Sequence, residues 1–253
     1  MILRFLSAFI ALFIITRVAY SERPNIVLIM ADDLGFGDLE CYGHPRVKTP
    51  NINQLAKQGV RFTQHYANGP ECSPTRTALL TGRYQQYAGG LECAIGTGNV
   101  GRYDDAIRLA EQHELGLPAN QTVLPQMVHA QGYRSAIFGK WHLGNTPTTP
   151  LEHGFDIHVP NVPSNWRTFH GPFGMKNLPS KKGDYLTDRL TDQAIEWMEN
   201  KKDEPFFLAA GFFNPHCPYV APKKYFDLYP LEEIEMQDLD EAKRDLEDVP
   251  KIA

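Results

Sequence analysis

Cysteine is scarce in this chain: Cys41, Cys72, Cys93 and Cys217 are the only four in 253 residues. That excludes a disulfide scaffold, in which dense bridging replaces a core. If one thiol is reserved for chemistry, three remain, so at most one pair forms and one stays free. A basic surplus is missing as well. Lys and Arg number 25 against 30 Asp and Glu, a net charge of −5, and no basic stripe interrupts the balance, which excludes a general nucleic-acid binder. The third absence is a long hydrophobic run. The apolar stretch from Phe5 to Ile15, preceded by Arg4, falls short of the roughly 20 residues that a membrane span needs. With Ala19 and Ser21 as small residues before Glu22, residues 1–21 read as a signal peptide. An uncleaved anchor is the alternative. The expected mature chain, 22–253, has no stable membrane span and is exported to a periplasmic, extracellular or lysosome-like compartment.

What is present is an alternation. Asn25-Ile26-Val27-Leu28-Ile29-Met30 is a continuous apolar run, the mark of a strand buried on both faces. Tyr133–Phe138 and Pro205–Phe213 repeat the pattern. Between them, helices are expected over Ile52–Gln58 after Thr49-Pro50, over Thr122–Gln131 closed by Gly132, and over Leu186–Asn200. Val60–Thr63 reads as a further short strand, and the acidic stretch from Leu231 to Asp248 as a solvated helix or linker. This order predicts an α/β fold, a mainly parallel sheet with helices on both faces. Ligands in such sheets bind beyond the carboxyl ends of the strands. Gly96-Thr97-Gly98-Asn99-Val100-Gly101 matches the dinucleotide pattern only formally, because no strand precedes it and Pro118 stands where a ribose-binding acid is needed. It reads as a surface loop.

The polar payload lies at the predicted strand ends. The first strand stops at Asp32-Asp33, the second at Lys140-Trp141-His142, the third at His216. Adjacent carboxylates repel unless a cation compensates, and oxygen ligands suit Ca²⁺ or Mg²⁺. A helix is expected to start at Ser73-Pro74, which puts Cys72 at its positive end and Arg76 about one turn on. A thiol there is expected to be reactive. Taken singly, each of these residues has a plainer reading: a turn acid, a surface cation, a hydrogen-bonded histidine. Their convergence on one sheet edge favours a site.

These residues carry a resemblance. Cys72-Ser73-Pro74-Thr75-Arg76 with Leu80-Thr81-Gly82-Arg83 resembles the type I sulfatase signature of the alkaline-phosphatase-like superfamily. The likeness extends through Pro24-Asn25-Ile26-Val27, Asp32-Asp33-Leu34-Gly35, Gly139–Gly144, Gly154-Phe155-Asp156 and Pro215-His216-Cys217-Pro218. A weaker hint, Asp245-Leu246-Glu247-Asp248 in the acidic stretch, points to the iduronate-2-sulfatase and choline-sulfatase side. The resemblance implies a sulfuric ester hydrolase acting on a sulfated small molecule or carbohydrate. It implies that a separate maturating enzyme oxidises Cys72 to formylglycine, whose hydrate attacks sulfur. Asp32, Asp33 and the residue at position 72 would bind the metal, and Arg76 would steady the hydrate. Lys140 would hold a sulfate oxygen, His142 would take a hydrate proton, and His216 would serve the leaving group. Thr75 replaces a commoner serine. No Asp-Asn pair follows His216, so 22–253 reads as the N-terminal catalytic part of a sulfatase with its C-terminal part absent. The alternatives are a phosphoesterase of the same superfamily and a non-catalytic exported anion-binding fragment.

Overall fold

The computed structural model describes residues 23–88, 95, 116–145, 147–160, 168–201, 203–235, 240 and 244. The expected leader, Cys93, the glycine-rich loop at 96–101 and most of the acidic stretch lie outside the described residues. Four strands form one parallel sheet: β1 (Ile26–Asp32), β2 (Arg134–Gly139), β3 (Ile157–Val159) and β4 (Phe206–Pro215), in the order β1-β4-β2-β3. Ile26 pairs with Phe207 and Arg134 with Phe206, so β4 is gripped from both sides. The helices are α1 (Pro50–Gln58), α2 (Cys72–Thr81), α3 (Leu124–His129), α4 (Leu186–Asn200) and the short α5 (Lys223–Phe226).

Strand alternation sorts the core onto two faces. On one, Ile137, Phe207 and Ala209 pack with Leu80 of α2, Val128 of α3, Trp141 and Phe155. On the other, Trp197 of α4 meets Phe138 and Phe206, the latter edge-on at 5.5 Å between ring centroids. Helices thus cover both faces of β2 and β4, as the alternation predicts. β1 differs from its expectation. Leu28 packs against the core, but Val27 and Ile29, on the opposite side, are 46% and 62% exposed. The reason is position: β1 is the sheet edge, and α4 lies over β4 and β2.

Two other elements depart from the sequence reading. Val60–Thr63 forms no strand; Val60 and Phe62 are exposed, and the segment is held by the Tyr42 hydroxyl on the Phe62 carbonyl at 2.9 Å and by Arg61 on the Cys41 carbonyl. Among the described residues it has no neighbouring strand to complete a ladder. The helix expected over 122–131 is shortened to Leu124–His129, because Val123 caps it and its N–H donates to Gln126 Oε1 at 3.1 Å. The chain divides into two units after Pro218. The second unit contains α5 and a single helical turn at Leu231–Glu233 with Leu231 exposed. Among the described residues, no helix is long and apolar enough to cross a membrane.

Candidate active site

All seven residues singled out in the sequence lie in the first unit, at the carboxyl ends of β1, β2 and β4 and at the start of α2. Asp32, the last residue of β1, is 4% exposed. One carboxylate oxygen accepts from Arg76 at 3.1 Å, and the other is in direct contact with Lys140 Nζ. Arg76 and Lys140 are themselves 6% and 4% exposed. Arg76 also donates to the Lys140 carbonyl at 2.8 Å. A buried carboxylate is thus flanked by two buried cations, and the three elements that supply them are tied together. Burial pulls the Asp32 carboxyl up, but the charges and hydrogen bonds of Arg76 and Lys140 outweigh it and hold the group below its ordinary range.

Position 72 stands beside this cluster. Lys140 Nζ lies 3.4 Å from Cys72 Sγ. The expectation of an activated thiolate is corrected here. Burial pushes the Cys72 thiol up and the Asp32 charge adds to it, while Lys140 opposes without prevailing. Cys72 is already in the first turn of α2, with Glu71 before it as the cap and Gly82 closing the helix at φ 66°. Asp33 follows in the left-handed region at φ 61°. It is reached by His216 Nε2 at 3.6 Å. One ligand atom each from Asp32, Asp33, Cys72 and His216 falls within 4.8 Å of the others. Two carboxylates, an imidazole and the group at position 72 are a donor set that fits a divalent cation, with the carboxylates as hard oxygen ligands. Asp32 already has protein cations on both oxygens, so compensation of the acidic pair comes first from Arg76 and Lys140.

His142 is placed by a turn, not by strand alternation with Lys140. The chain leaves β2 through Gly139 at φ 107°, and His142 itself sits at φ 57°. Its Nε2 lies 2.7 Å from the Ile95 carbonyl, and its buried Nδ1 has no hydrogen-bond partner among the described residues. Burial, with the nearby Lys140 charge, lowers its pKa to about 4. Burial does the same to His158 on β3. Both must gain a proton on unfolding between pH 6.5 and about 4, so stability is greatest above pH 6.5 and falls as pH drops through that window. Urea midpoints measured from pH 7 to 4 are expected to decline, and less steeply in His158→Gln.

Two contributors escaped the sequence reading. Ser73, read as a helix start and as part of the signature but given no role, is fully buried and bonded to the His142 carbonyl. Gly139 was read as part of a motif, yet it brings β2 so close to β4 that a Cβ there would lie 2.0 Å from the Gly211 carbonyl oxygen. Its place at the end of a strand was the available signal.

Comparison with known proteins identifies the family. Residues 24–245 match the model of the family described as Sulfatase. N-acetylgalactosamine-6-sulfatase of Rattus norvegicus is 33% identical over 227 residues, covering 81% of this chain and 42% of its own length. The crystal structure of Ps i-CgsB in complex with k-i-k-neocarrahexaose superposes with a TM-score of 0.66 at 28% identity, over 85% of this chain and 50% of that one. A structure solved in complex with its substrate D-glucosamine-2-N,6-O-disulfate gives 0.66 at 26%, over 86% and 39%. The chain spans less than half the length of the rat relative and about half that of the first of these structures. With its strand-end acids, buried cation pair and Cys72 helix in the matched region, the chain belongs to the sulfatase family.

Proposed function

We propose that residues 22–253 form the catalytic part of a sulfuric ester hydrolase that cleaves a sulfate ester of a carbohydrate after Cys72 is converted to formylglycine by a maturating enzyme. The observation that carries this reading is the placement of Lys140 Nζ, bonded to buried Asp32 and 3.4 Å from the side chain at position 72. A fixed cation beside position 72 is suited to hold the negative oxygens of a sulfate group in place through the transition state. Two similar proteins solved with sugars, k-i-k-neocarrahexaose and D-glucosamine-2-N,6-O-disulfate, support a carbohydrate substrate. The expected export of the chain accords with such a substrate.

Asp32, Asp33 and the group at position 72 would hold the divalent cation, Ca²⁺ or Mg²⁺. When present, the hydrated formylglycine would supply an oxygen nucleophile and the cation would polarise sulfate oxygens. The chain's own residues do the rest. Lys140 binds a sulfate oxygen. Arg76, locked to Asp32 and to the Lys140 carbonyl, keeps the charge around position 72 in register. His142, neutral with a bare Nδ1, accepts a proton. His216, steered by Asp33, donates one to the departing alcohol oxygen.

The test is mass analysis of the tryptic peptide 62–76 after co-expression with a formylglycine-generating enzyme, alongside sulfate release from a sulfated monosaccharide. Formylglycine at position 72 and released sulfate are expected. A peptide that retains an intact cysteine overturns the reading.

A further inference from the structure

Three hydrogen bonds around Ser73 close into a ring. The Ser73 hydroxyl donates to the His142 carbonyl at 2.7 Å. The Ile95 N–H donates to the Ser73 hydroxyl at 3.0 Å. His142 Nε2 lies 2.7 Å from the Ile95 carbonyl. A carbonyl only accepts, so Nε2 carries the proton. Each of the three residues then gives one hydrogen bond and takes one. A neutral imidazole with its proton on Nε2 has its lone pair on Nδ1, and Nδ1 is buried with no hydrogen-bond partner among the described residues.

We propose that Ser73 is a positioning residue for His142, its hydroxyl closing this ring so that the imidazole is held as the Nε2–H tautomer with a bare Nδ1. The ring holds His142 at two points, its carbonyl and its side chain, and ties the Ile95 segment that the side chain leans on to Ser73. It therefore also supports the left-handed backbone at φ 57°, which L-residues adopt at a cost unless the surroundings fix it. Ser73 is fully buried, as Arg76 nearly is, so the staple works in a dry setting where an unmet donor or acceptor is expensive. The residue beside the modified cysteine thus reaches across 69 positions of chain to choose the tautomer of a histidine.

The importance of that tautomer rests on the proton-accepting role given to His142 above, but the test does not depend on activity. Long-range proton–nitrogen correlation spectra are recorded at neutral pH on the full chain labelled with ¹⁵N-histidine, with His142→Gln to assign the signal. In the unaltered chain, His142 is expected to show a single Nε2–H pattern with a slowly exchanging proton. Ser73→Ala is expected to shift the His142 nitrogens toward values averaged between tautomers and to speed exchange of that proton, while the other eight histidines keep their signals. Ser73→Thr, which retains the hydroxyl, is expected to restore the pattern. If Ser73→Ala does not fold, Ser73→Cys fills the space with a poor hydrogen-bonding group and is read the same way. An unchanged His142 pattern in the variant without the hydroxyl overturns the proposal. So does an Nδ1–H tautomer in the unaltered chain. Loss of sulfate release with an unchanged tautomer also overturns it, whereas a shifted tautomer in a chain that never releases sulfate sinks only the functional reading.

Discussion

Lys140→Met is expected to lower stability by about 3 kcal/mol, the scale of breaking a buried pair by removing one partner. The change leaves the 4%-exposed Asp32 with Arg76 alone. For a domain of this size that corresponds to a drop of roughly 6–12 °C in melting temperature. The companion variant Asp32→Asn tests the same cluster from the other side. Asp32 has a folded pKa below its unfolded one, so its contribution is fully present above about pH 4, the unfolded value. It is lost as pH falls through the lower, folded value. Unfolding by urea between pH 5 and 2 should therefore weaken more steeply with acid in the unaltered chain than in Asp32→Asn. The two substitutions should be strongly non-additive, since the residues touch. Under the proposed function, Lys140→Met should also lower the rate of sulfate release about 100- to 1,000-fold, as removal of one fixed stabilising donor does. Additive stabilities, or an unchanged acid limb in Asp32→Asn, would count against the charge cluster as drawn.

Gly139→Ala is expected to be the most damaging of the conservative changes. Two separate penalties meet at this position. At φ 107° an L side chain is strained, which costs about 1–3 kcal/mol. The new methyl would also lie 2.0 Å from the Gly211 oxygen, a backbone atom that moves only if β2 and β4 separate. Overpacking of that kind costs about 1–3 kcal/mol more. Gly211 O is the acceptor for the Lys140 N–H at 2.7 Å, so separation displaces Lys140 as well. Thermal melts should show a fall of roughly 10 °C or an insoluble product. Gly174→Ala is the control, because its Cβ would meet nothing within 4 Å and the penalty is then only that of its positive φ. A Gly139→Ala chain that melts with the control would refute the account of the strand crossing.

What could be read in the sequence was whatever depends on local order. Apolar runs broken off by Asp32-Asp33, Lys140 and His216 gave both the parallel sheet and the polar ends, because side-chain burial and backbone pairing have the same cause. Cys72 and Arg76 were found by spacing. What could not be read needs distance. The Ser73 bond spans 69 residues, and nothing near Ser73 announces it. An apolar run does not reveal whether its strand is central or marginal, and for that reason β1 was taken as buried on both faces. The raised pKa of Cys72 was hidden for a similar reason. The helix start favours a thiolate locally, but burial and the Asp32 charge come from elsewhere in the fold.

The edge position of β1 bears on how the site is held. Among the described residues, this marginal strand, with Val27 and Ile29 open to solvent, has hydrogen-bonded support on one flank only, from β4. Its terminal residue, however, carries the carboxylate that clasps two cations from α2 and the exit of β2. The clasp therefore works in both directions. It gathers two buried cations beside position 72, and it moors the end of an edge strand, so the cluster fastens the fold as well as forming the candidate site.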